Sequence, residues 1–146
     1  MCARFASRAT TATARATSLD DVGVDTDVLI WHLRGYPQAT RRLDELGALT
    51  LSAISWLEVL QGMRNKAELL AVKKMLDKRS ARLLPVTEAI TLLATKLMKS
   101  LTLSRGLQMG DALIAATAIE HQLPMLTANV KHFGAVAGLT VEAFVP

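Results

Sequence analysis

Three acids and one amide stand out, because each lies where a short apolar run meets a helix-like segment. Asp25 ends the run Val22-Gly23-Val24 and precedes Val28-Leu29-Ile30-Trp31; the same order of strand-like segment, acid and helix surrounds Glu58 and Asp111, and recurs in weaker form at Asn129. Open α/β folds carry their chemistry at the carboxyl ends of strands, so four such elements imply one site. Taken singly, each acid has an ordinary role. Asp is a favoured helix N-cap, which suits Asp25, Asp27 or Asp111. Ser55 and Glu58 have the Ser-x-x-Glu spacing of a capping box, opening a helix over Trp56 to Met63. Taken together, they conflict. Strand ends converge in a parallel sheet, and three carboxylates brought together stay ionised at neutral pH only around a cation. Oxygen ligands without His or Cys in the motifs favour Mg²⁺ or Mn²⁺ over zinc. Such an ion, held by a few carboxylates and several waters, suits phosphodiester hydrolysis, which makes a nuclease the natural class.

The elements that position these residues follow a βαβ pattern from Asp21 onward, short β-like runs alternating with segments of helical period. The predicted strands are Val22 to Val24, Ala48 to Leu51, Ala81 to Pro85, Met125 to Thr127 and Leu139 to Val141. Pro37 opens a helix that runs to about Leu46 and ends at Gly47. Asn65 to Lys78 reads as another. From Thr87 to Ser104, the residues Ile90, Ala94, Leu97 and Leu101 line one face. The small apolar run Asp111 to Ile119 reads as a helix pressed against the sheet. The fold class is α/β.

The chain has 146 residues, enough for one core that buries roughly 68–70% of its unfolded surface. A hydrophobic share of 51% and a mean hydropathy of +0.28 exclude a disordered or fibrous class. Lys96 and Lys99 interrupt the longest helical segment, so no membrane span is expected. Cys2 is the only cysteine, which leaves neither a disulfide framework nor a thiolate metal site and points to a reducing, cytoplasmic location. Seventeen basic against thirteen acidic residues give a charge of +4, compatible with a polyanionic partner. Residues 1–20 differ in kind: Met1 to Ser18 are rich in Ala, Thr and Ser, carry Arg4, Arg8 and Arg15 but no acid, and are expected to form a disordered tail of transit-peptide-like composition. Residues 21–146 are then a single domain.

VDTDVLIWHLRG (Val24 to Gly35), SWLEVLQG (Ser55 to Gly62), GDALIAATA (Gly110 to Ala118) and LPMLTANVKHF (Leu123 to Phe133) together resemble the PIN-domain ribonucleases, specifically toxins of the VapC type. The likeness covers the chain from about Asp21 to the C-terminus, with the motifs in the family's order. It implies a three-layer α/β/α sandwich with a mainly parallel central sheet, endoribonuclease activity dependent on Mg²⁺ or Mn²⁺, a homodimer, and inhibition by a separately encoded antitoxin. By the same resemblance Asp25, Glu58 and Asp111 match the acidic metal-site positions, and Asn129 stands where many members have a fourth acid. Asn129 completes the expected catalytic set, but its neutral amide weakens any second metal.

Around that set, Asp27 is read first as the cap of the first helix, with a contact to the metal through water as its alternative role. Thr26, Ser55 and Thr127 offer hydroxyls to water or phosphate, with turn and cap bonds as their ordinary use. Arg34, Arg64, Arg105 and Lys131 are candidates for RNA phosphates. His132 and Phe133 are expected to anchor the last loop, while His32 and His121 show no ligand spacing. Trp31, Tyr36 and Trp56 either stack on bases or pack. Two alternatives compete. VGVDTDVL also fits a haloacid dehalogenase-like phosphatase with Asp25 as nucleophile and Asp27 as acid/base, though no second acid follows Asp111 up to Ile119. The other is a PIN-like fold that holds RNA or a protein without cutting, its pocket blunted by Asn129.

Overall fold

Each short apolar run becomes an equally short strand, and the segments of helical period become the covering layers. The computed structural model describes Arg4–Phe5 and residues 21–146. Its strands are β1 (Arg4–Phe5), β2 (Gly23–Val24), β3 (Thr50–Ser52), β4 (Arg82–Leu84), β5 (Met125–Thr127) and β6 (Val141–Ala143). They form one sheet in the order β1-β4-β3-β2-β5-β6, and every pairing is parallel. From β2 the chain builds outward through β3 and β4, then returns to place β5 and β6 on the other side of β2. The order therefore reverses between β2 and β5, the kind of switch point at which α/β sheets open a crevice.

Seven helices connect the described strands: α1 (Thr26–Leu33), α2 (Pro37–Leu46), α3 (Ala53–Gln61), α4 (Lys66–Lys78), α5 (Glu88–Arg105), α6 (Met109–Glu120) and α7 (Val130–Phe133). Spacings of four place Ala39 with Leu43 on α2, Val72 with Leu76 on α4, and Ile90 with Ala94 on α5, all buried stripes. Val28, Leu29, Leu43, Trp56, Val59, Val72 and Leu76 join Val24, Leu51 and Leu83 in one core, which places α1 to α4 on one face of the sheet. Two smaller clusters built on Ile114, Ala115, Met125 and Phe133, and on Ile90, Ala94, Ala112 and Ala116, place α5 and α6 on the other. The result is the expected α/β/α sandwich. Alanines on α6 let that helix approach its neighbours closely, and it is buried on most of its circumference.

Several boundaries differ from the sequence reading. The third helix begins at Ala53 because Ser52, not Ser55, caps it: Ser52 Oγ accepts the Ser55 amide at 3.0 Å. The predicted capping box is therefore absent, and Glu58 sits in mid-helix. The last strand starts at Val141 instead of Leu139, because Gly138 at φ +85° and a Leu139 to Val136 backbone bond keep the chain turning. Within the predicted disordered tail, Arg4–Phe5 runs beside Arg82–Leu83 as the edge strand; the rest of that expectation lies outside the described residues.

Candidate active site

At the switch point the sheet presents Asp25 from the end of β2 and Thr127 from the end of β5. Asp25 Oδ1 accepts the Thr26 amide at 2.8 Å and so caps α1, while Oδ2 accepts the Thr127 hydroxyl at 2.7 Å. Only 5% of Asp25 is exposed. Asp27, expected to be the cap, turns across to the β5–α7 connection, where Oδ2 accepts the Ala128 amide at 3.1 Å. Thr127 Oγ1 also lies 3.5 Å from Asp27 Oδ2, but a hydroxyl has one proton, and the 2.7 Å contact with Asp25 takes it. The same oxygen accepts the Asn129 amide at 2.9 Å. Thr127 thus ties Asp25 to Asn129.

Glu58 enters from α3, one layer away. Thr26 Oγ1 donates to its Oε1 at 2.5 Å, and a Cβ added at Gly110 would lie 2.7 Å from its Oε2. The glycine before Asp111 is therefore what lets α6 approach Glu58. Asp111 is the third residue of α6 and no cap; Gln108 holds the cap position without a side-chain bond. Its Oδ2 lies 3.3 Å from His132 Nδ1, and that nitrogen lies 3.0 Å from the Asn129 side-chain amide. A carboxylate only accepts, so Nδ1 donates to Asp111 when it carries a proton and accepts from Asn129 Nδ2 when it does not. His132, expected only as a loop anchor, belongs to the site. Its three-residue spacing from Asn129 across one helical turn was the available sequence signal.

Asp25, Thr26, Asp27, Ile30, Trp31, Glu58, Gln61, Asp111 and Asn129 line one open cleft of about 530 Å³. All four expected residues are thus brought together. Burial, and then the neighbouring charge of Asp27, push the Asp25 carboxyl up to about 7. Burial also raises Asp27 and Asp111, the latter opposed by its contact with His132. Asp27 Oδ1 is buried with no hydrogen-bond partner. Such crowding is what a cation relieves. Among the described residues no three His, Cys, Asp or Glu are gathered closely enough to form a ready-made cage. The oxygen-only donor set therefore suits a hard ion that keeps much of its water and takes one or two carboxylates directly.

Other candidates fall outside the cleft. Ser55 is fully buried beside Ser52. Arg34 and Arg64 both close on Glu68, at 3.1 and 2.7 Å, which leaves them less available to phosphates than the sequence implied. Arg105, Lys131 and His121 do not line it either; His32 bonds Thr40 at 2.7 Å on the far side of α1. Trp56 is buried, whereas Trp31 lines the cleft and packs against Tyr36.

Residues 22–139 match the PIN domain. The chain belongs to the PIN-domain family. Ribonuclease VapC10 of Mycobacterium tuberculosis is 41% identical over 116 residues, covering 75% of this chain and 84% of that protein. Ribonuclease VapC19 of the same organism is 36% identical over 115 residues, covering 75% and 90%. Among solved structures, a toxin-antitoxin complex from Klebsiella pneumoniae superposes with a TM-score of 0.70 at 25% identity, over 82% of this chain and 96% of that one. The four PIN motifs of the sequence are the four segments that converge on the cleft. No helix among the described residues of this PIN protein is long and apolar enough to cross a membrane.

Proposed function

We propose that this PIN protein is an endoribonuclease dependent on Mg²⁺ or Mn²⁺, the toxin of a toxin-antitoxin pair. The observation that carries the reading is the convergence of Asp25, Glu58, Asp111 and Asn129 on one cleft at the sheet's switch point. The similarity to VapC ribonucleases and to a toxin-antitoxin complex supports it.

Asp25, Glu58 and Asp111 would hold the divalent ion, directly or through water, and Asn129 would add a neutral oxygen. Bound there, the ion supplies positive charge for the phosphoryl oxygen and lowers the pKa of water. The chain's own residues fix the geometry. Thr127 holds Asp25 through Oδ2, Thr26 holds Glu58, and His132 holds Asp111. Each acid is thus oriented by a neutral or shared donor instead of a permanent ion pair, which leaves its charge free for the ion. The resemblance also implies a homodimer, and an antitoxin that inhibits by placing a basic side chain among these acids, replacing the cation electrostatically.

Expression of the wild type and Asp111→Asn in a bacterial host, with mapping of new RNA ends, tests the reading. Growth arrest and recurrent cut sites from the wild type alone are expected. RNA left intact by purified wild type across a Mg²⁺ and Mn²⁺ series, or cut equally by Asp111→Asn, would overturn it.

A further inference from the structure

We infer that Trp31 and Gln61 form a nucleobase subsite on the cleft wall, beside the acids, which receives an unpaired base of single-stranded RNA. The inference rests on the ribonuclease reading for the identity of the ligand. Its geometry stands on its own.

Trp31 lies four residues after Asp27 on α1, and Gln61 three residues after Glu58 on α3. Those spacings keep each on the same helical face as its acid, displaced along the axis by about 6 Å and about 4.5 Å respectively. The polar floor of the cleft therefore continues into a wall that includes one indole and one carboxamide, with Ile30 also in the lining. An offset of that size separates a backbone phosphate from its own base. The cleft volume, about 530 Å³, falls in the range of roughly 300–1,000 Å³ that takes small organic ligands.

The indole has the two properties a stacking surface needs. It is 38% exposed, whereas Trp56 is 7% exposed inside the core. Tyr36 packs against it, with ring centroids 4.7 Å apart at 49°, which limits the indole's freedom to rotate. A core residue would be covered and an incidental surface residue would be unsupported. The Gln61 side chain offers two donors and one acceptor oxygen, as reading a base edge requires. The remaining lining residues are acids, Asn129, Thr26 and Ile30, none of which has an aromatic face, so among the lining residues only Trp31 can stack on a base.

Every base has a π-face, so Trp31 supplies affinity without sequence preference, worth about 5- to 150-fold for one base. Preference at that position falls to Gln61. A single-stranded oligoribonucleotide in EDTA, where a metal-dependent nuclease leaves it intact, is the probe, read by tryptophan fluorescence. Quenching is expected in the wild type and absent in Trp31→Phe, since the remaining Trp56 is buried. Trp31→Leu is expected to weaken binding about 5- to 150-fold, and to raise KM on cleavable RNA by a similar factor. An abasic nucleotide at the stacked position should reproduce the loss with the phosphates intact. Gln61→Ala should broaden the base found at that position in mapped RNA ends.

Equal affinity of wild type and Trp31→Leu for the probe, or quenching that persists in Trp31→Phe, would overturn the subsite even if the wild type cuts RNA. A wild type that quenches on the probe but cuts no RNA overturns the nuclease reading and leaves the subsite standing.

Discussion

Asp25 is a burden on the metal-free fold, and Asp25→Asn should lift it in a pH-dependent way. Burial and the charge of Asp27 raise the Asp25 carboxyl from 3.8 to about 7. At 1.36 kcal/mol per unit, keeping it ionised costs the folded state roughly 4 kcal/mol, a large share of the roughly 5–15 kcal/mol that holds a domain together. Below pH 3.8 both folded and unfolded chains carry the proton, and the cost vanishes. Between that value and about 7 the folded chain retains a proton that the unfolded one has lost, so stability falls as pH rises; above about 7 the cost is complete.

Asn at position 25 can still accept from Thr26, but its amide group meets Thr127 Oγ1, which already accepts from Asn129. That rearrangement costs about 1 kcal/mol. Urea unfolding in EDTA should therefore find Asp25→Asn about 1 kcal/mol less stable than wild type at pH 3.5 and roughly 3 kcal/mol more stable at pH 8. Asp27 and Asp111 remain in both proteins, so the difference isolates Asp25 and its coupling to Asp27. Adding Mn²⁺ at about 100 times its Kd should stabilise the wild type by about 2.7 kcal/mol and the variant by less. A stability difference of the same sign and size at both pH values would refute the reasoning.

Two further variants probe the positioning contacts. Gly110→Ala puts a methyl 2.7 Å from Glu58 Oε2, which must swing away and leave Thr26. A helical Ala offsets that by about 0.5–1 kcal/mol, so thermal unfolding should move little while kcat/KM falls by about 10- to 100-fold; full activity would clear Glu58 of a role. Thr127→Val removes a buried donor from Asp25 and an acceptor from Asn129, and should cost about 1–3 kcal/mol. It should also shift the rising limb of the pH–rate profile to higher pH, because the Thr127 bond is one of the contacts holding the Asp25 pKa down.

Much of the fold was legible because its strands are short apolar runs bounded by helix signals, and Pro37–Leu46 and Met125–Thr127 were placed to the residue. Asp25 and Asn129 were legible as residues that follow strand ends; Glu58, in mid-α3, and Asp111, in a helix that no strand directly precedes, were reached through the family motifs. Local pattern failed where a distant partner decided the outcome. Ser52 and Ser55 are equally good caps on paper, and the β3 backbone selects Ser52. Arg34 and Arg64 read as free cations until α4 brings Glu68 to both, one of the pairs spanning 34 residues. His132 read as a loop anchor because its contact with Asp111 crosses from α7 to α6. Trp31 and Trp56 have the same composition-level meaning and opposite environments, decided by which face of its helix each occupies.

Asp25 and Asp27 show why capping and chemistry were a false choice. The sequence favoured Asp27 as cap and Asp25 as ligand, yet Asp25 is the cap. A carboxylate has about four acceptor sites, and the cap uses one, from Thr26, with Thr127 taking another on the second oxygen. Capping alone cannot explain the residue type. Ser or Asn would cap α1 about equally well, for about 1 kcal/mol, without a buried charge that costs roughly 4 kcal/mol at neutral pH. The same holds beside it, where Asp27 leaves Oδ1 buried and unpartnered. Two such carboxylates kept against their own electrostatics are what the proposed cation site would account for, and the cleft beside them is open to solvent.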